Sequence, residues 1–81
     1  MKNLEPKNEN GSTFKHWRDW AFVRFHRKLD NARGQIMTPD EAKREWDRFG
    51  GEGMARKYWN EGLDTEEMAD ALMTVRQSLI N

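Results

Sequence analysis

Cysteine is absent from the chain. That excludes a disulfide scaffold and every thiolate metal site. Only two histidines are present, too few for a metal centre or a catalytic dyad with any positional support. No apolar run approaches the roughly 18 residues that a spanning helix needs. No apolar stretch follows the first lysine, so no secretory signal is read at the start. Neither sign of charge dominates: Lys and Arg number 14, Asp and Glu also 14. A strong positive excess, the usual mark of a stand-alone nucleic-acid binder, is therefore missing. These absences point to a protein without membrane, metal or cofactor, and to a cytoplasmic location.

What the chain does have is aromatic mass and charge. Among 81 residues there are four Trp, four Phe and one Tyr, with 35% charged residues and a mean hydropathy of −1.11. One core of this size seldom supplies more than about 3–5 kcal/mol. Large rings, which bury about 150–250 Å² each, are the natural way to reach even that. The neutral total hides an asymmetry. Residues 1–37 hold eight Lys/Arg against four Asp/Glu, and residues 38–81 hold six against ten. The halves carry +4 and −4, so they can attract each other or face different partners.

Periodicity predicts an all-α single domain of about four helices, two longer and two short, over residues 12–81. Residues 1–11, rich in Asn, Lys and Glu with Pro6 and Gly11, read as a flexible lead. The first helix is expected over residues 13–29, with Ser12 as N-cap. Phe14, Trp17, Ala21, Phe22, Phe25 and Leu29 share one broad face, while His16, Trp20, Val23, Arg24 and Arg27 lie opposite. Arg18 projects near the middle of the apolar face, so it must reach past the edge or find a buried carboxylate. Thr38-Pro39-Asp40-Glu41 is a capping box with proline at the first helical position. Gly50-Gly51 ends that second helix. The third is expected over residues 53–61, closed by Gly62 and Leu63. The fourth starts from Asp64 as N-cap with Glu67 at N3. Its stripe is Met68, Leu72, Val75 and Leu79, widened by Ala69, Ala71 and Ile80. The two long helices should form a base with the short ones packed across it.

The segment from Gly62 to Leu72 is similar to the first helix of many helix-turn-helix modules, carried here by Thr65-Glu66-Glu67, apolar Met68, Ala69, two residues and Leu72. Such a module next needs a tight turn and a recognition helix. Met73-Thr74-Val75-Arg76-Gln77 instead continues the same apolar period, so one uninterrupted helix is expected.

Two constellations bear on function. From Phe14 to Lys28 aromatic and basic side chains interleave, with five Lys/Arg against one Asp. Cations pair with phosphates or carboxylates, and rings stack or hold an arginine. His16, Trp20, Arg24, Arg27 and Lys28 form the candidate binding face, an indole between arginines being typical of a binding hot spot. The glycine-rich entry to the third helix is a secondary candidate. There Gly51 and Gly53, with Arg56 and Lys57 behind them, can meet an anion through backbone N–H groups. No Gly-Lys-Ser/Thr follows, so this is not a P-loop. No nucleophile–base pair is evident, and the chain reads as a non-enzyme. The leading expectation is a small protein that binds another protein: an adaptor, assembly factor or inhibitor, of the kind phages and mobile elements encode as short chains. It would act as a monomer or weak homodimer. The alternative is nucleic-acid binding through the basic aromatic first helix.

Overall fold

The computed structural model describes residues 13–80. They form four helices in the order α1 (Phe14–Arg33), α2 (Pro39–Arg48), α3 (Gly51–Asn60) and α4 (Thr65–Ile80). The expected flexible lead and Ser12 lie outside the described residues. The N-cap of α1 is Thr13, whose hydroxyl accepts from the His16 amide at 3.3 Å. The helix therefore begins one residue later than expected.

At its other end α1 runs past Leu29 to Arg33. Asp30 and Asn31 are turn formers in isolation, but Asp30 is used otherwise. Its carboxylate accepts the Met37 amide at 2.9 Å and ties down the returning loop. The helix stops at Gly34, which adopts φ 73° and donates its N–H to the Asp30 carbonyl. A residue without Cβ takes that left-handed conformation at little cost.

The reciprocal cap of α2 is present: Glu41 N–H to Thr38 Oγ1 at 3.2 Å, Thr38 N–H to Glu41 Oε1 at 3.0 Å. The α2–α3 corner differs from expectation, because α3 begins at Gly51 rather than Gly53. The reason is tertiary. A Cβ on Gly51 would sit 2.5 Å from the Trp46 ring, so glycine lets the new helix start directly against the indole. The end of α3 has both Schellman bonds, Leu63 N–H to the Tyr58 carbonyl and Gly62 N–H to that of Trp59, each 3.0 Å. Asp64 and Glu67 cap α4 reciprocally at 2.8 and 3.2 Å. The helix then continues unbroken to Ile80, which leaves no place for a recognition helix.

α1 touches every other helix and packs over its greatest length on α4, with α2 and α3 laid across. Trp17, Phe25, Leu29, Met37, Trp46, Phe49, Trp59, Met68 and Leu72 form the core. Its rings meet edge to face: Trp17 on Trp59 at 5.7 Å, Phe22 on Trp46 at 5.5 Å, Phe25 on Trp46 at 6.0 Å. Such pairs add about 0.5–1.5 kcal/mol each beyond burial. The stripe on α4 is buried over Met68, Ala69 and Leu72, and Val75 packs partly covered against the core. Leu79 is 67% exposed. The buried place one turn after Leu72 is held by Arg76, whose Nε donates to Glu45 Oε1 at 2.9 Å. That charge in the α4 interface was not anticipated.

Candidate functional site

The outer side of α1 carries His16, Trp20, Val23 and Arg27 in one row, at i, i+4, i+7 and i+11. Trp17, Trp46 and Trp59 are buried, whereas Trp20 is 47% and Val23 46% exposed. His16, Asp19, Trp20 and Val23 line a shallow depression of about 230 Å³. The indole N–H of Trp20 donates to His16 Nε2 at 2.9 Å. An indole nitrogen can only donate, so this imidazole nitrogen is the unprotonated acceptor. The bond requires the tautomer that carries its proton on Nδ1. On the other flank the Arg24 guanidinium lies 5.8 Å from the Trp20 ring centre, within cation–π range.

Arg24 and Lys28 do not point freely outward. Arg24 Nε donates to Thr65 Oγ1 at 2.7 Å, and its terminal nitrogen to Glu66 Oε1 at 2.8 Å. Lys28 Nζ meets Glu66 at 2.6 Å and Asp70 at 2.8 Å. This is the attraction between the basic and acidic halves, realised across α1 and α4. Of the five candidate residues, His16, Trp20 and Arg24 are brought together, while Lys28 is turned to the α4 carboxylates. Arg27 is exposed and makes no ion pair among the described residues. Val23, placed on this face by the helical period but not counted among the candidate residues, joins the site, and so does Asp19, which sequence reasoning did not single out.

The hydrogen bonds of Lys28 to Asp70 and then to Glu66 hold its ammonium above the ordinary 10.5. The bond from Lys28, aided by Arg24, holds the Glu66 carboxyl below the ordinary 4.5. The depressed carboxyl contributes stability that is present above 4.5 and lost as pH falls through its folded value. The raised ammonium contributes stability that is present below 10.5 and lost as pH rises through its folded value. Glu66→Gln should therefore lower the melting temperature at neutral pH, and the difference from the parent chain should close as pH drops below Glu66's depressed value. Glu66 is about half in water, so the neutral-pH effect should not exceed about 1 kcal/mol. Thermal melts across an acid series check this. A gap that persists undiminished in strong acid would contradict it.

Arg18 reaches past the edge of the apolar face to Glu52 at 3.0 Å, with its guanidinium 5.6 Å from the Phe14 ring centre. Glu52 is exposed, so no buried carboxylate is needed there. At the secondary anion candidate, Gly51 is buried against Trp46 and Gly53 is exposed. Arg56 lies over the Phe14 ring at 4.3 Å, and Glu52 brings a carboxylate to the same helix end. Lys57 is exposed one residue further on. The structure gives these four residues separate surroundings. His26 is structural, its Nε2–H donating to the Met37 carbonyl at 2.8 Å. Among the described residues no three His, Asp or Glu side chains are grouped to hold a metal. Nor is any helix there long and apolar enough to cross a membrane. No family model, curated protein or solved structure matches the chain.

Proposed function

We propose that the chain is a small non-enzymatic binding protein, an adaptor, assembly factor or inhibitor, that acts in the cytoplasm through protein–protein contacts on the outer face of α1. The observation that carries this reading is the exposure of Trp20. Three indoles are in the core, while the fourth stands half in water beside Val23, braced by His16 and Arg24. Trp and Arg are enriched at interface hot spots, and a large ring fixed before binding loses little entropy on docking. The nucleic-acid alternative is less well supported. It needs Arg24 and Lys28 for phosphates, and both are held by Glu66, with Asp70 also on Lys28.

Affinity capture from a lysate of the source cells, with and without nuclease, tests the reading. A protein partner should be retained after nuclease. Trp20→Ala should weaken capture about 30-fold, as loss of a hot spot worth about 2 kcal/mol would. The same variant should change stability by no more than about 0.5 kcal/mol, since it truncates an exposed side chain. Loss of capture on nuclease treatment would favour the nucleic-acid alternative. Capture unaffected by Trp20→Ala would move the contact to another face.

A further inference from the structure

We propose that the Trp20 patch takes an aliphatic side chain from a partner helix in a dry contact, and that His16 makes this contact release in acid. The inference rests on the protein-binding reading above and adds the chemistry of the partner and its control.

A half-exposed indole normally presents two features to a partner, an apolar ring and a donor that needs an acceptor. Here the donor is already satisfied inside α1 by His16 Nε2. A partner can therefore cover the ring with aliphatic surface and leave no unpaired N–H behind. The neighbouring charges are also engaged: Lys15 with Asp19 at 3.3 Å, Arg24 with Glu66 at 2.8 Å. What remains open is the apolar depression at Trp20 and Val23, and the cation of Arg27 two turns beyond the indole. An amphipathic helix fits both, with an aliphatic residue over the depression and a carboxylate about 10 Å along its axis to meet Arg27. A second copy of this chain fits poorly. Its own face offers Arg27 no open carboxylate, since Asp19 is held by Lys15.

The same hydrogen bond supplies the control. Protonation of His16 places a proton on Nε2, turns the acceptor into a donor and breaks the bond to Trp20. The charged groups around the imidazole on α1 are Lys15, Asp19 and Arg24. The nearest α4 carboxylates are engaged further along α1, Glu66 by Arg24 and Lys28 and Asp70 by Lys28. Asp19, three residues on and lining the same depression, is the carboxylate placed to draw the imidazolium away. The partner's aliphatic group then covers an unpaired indole N–H beside a new positive charge.

The test selects peptides from a displayed library of random amphipathic helices on the full chain at neutral pH, with counter-selection on Trp20→Ala. Enriched peptides should pair an aliphatic residue with Asp or Glu two turns away. Their binding should weaken about tenfold from about pH 7.5 to about pH 5. In His16→Gln the side-chain carbonyl can still accept the indole N–H but cannot charge, so the ratio of binding at neutral to acid pH should fall to about one, whatever the affinity at neutral pH. Trp20-dependent peptides without that pattern, or an acid loss that is absent or survives in His16→Gln, overturn the inference and leave the protein-binding reading standing. If no Trp20-dependent peptide is enriched, both fall.

Discussion

Trp46→Ala should leave a chain with no cooperative melting transition at room temperature. Trp46 is 2% exposed and stands where three elements meet. Phe22 and Phe25 of α1 pack edge to face against it, and Gly51 opens α3 directly on its ring. Truncating a buried Trp to Ala costs about 3–5 kcal/mol, because the transfer energy is lost and the cavity cannot fully collapse. A single core of this size holds about the same amount. The far-UV circular dichroism of the variant should fall to that of a largely unfolded chain. A cooperative melt within a few degrees of the parent would show that the aromatic hub is not what holds α2 and α3 on α1.

The second large effect lies in the α4 interface. Arg76 is 9% exposed, and its partner carboxylate on Glu45 is also largely shielded, at 18%. Removing the carboxylate with Glu45→Ala strands a desolvated guanidinium and should cost about 3 kcal/mol. Replacing both partners, with Glu45→Leu and Arg76→Met, should restore stability to the parent level or exceed it by about 1–4 kcal/mol. Urea denaturation of Glu45→Leu, of Arg76→Met and of the double variant measures this coupling. A single-variant loss below about 1 kcal/mol would class the pair with ordinary surface ion pairs.

These two positions also show what can be read from one sequence. The signals at Thr38–Glu41, Asp64–Glu67 and Gly62 are local, so the caps they foretell are present in the folded chain. The two faces of α1 follow from its helical period, and Trp20 stands outside with Val23 as that period implies. The misplaced boundaries have tertiary causes. α1 continues to Arg33 because Asp30 turns to the Met37 amide, and α3 starts early because Trp46 needs a bare Cα at Gly51. These contacts span seven and five residues, beyond the three-residue reach of a capping box. Arg76 was legible in part: it follows Leu72 by four residues and so faces inward, yet its partner Glu45 is 31 residues away in the chain. At the candidate site, the charge asymmetry implied attraction between the halves. It did not say that Arg24 and Lys28 would be the residues engaged by Glu66 and Asp70, leaving Arg27 on the outside.

Everything proposed for the α1 face depends on one indole being reachable while three are not. Acrylamide quenching of tryptophan fluorescence in the free chain measures this directly. Trp20 alone should form a readily quenched fraction, and Trp20→Phe should abolish that fraction with the fold intact. Uniform protection of all four indoles, or a quenched fraction that survives in Trp20→Phe, would contradict it.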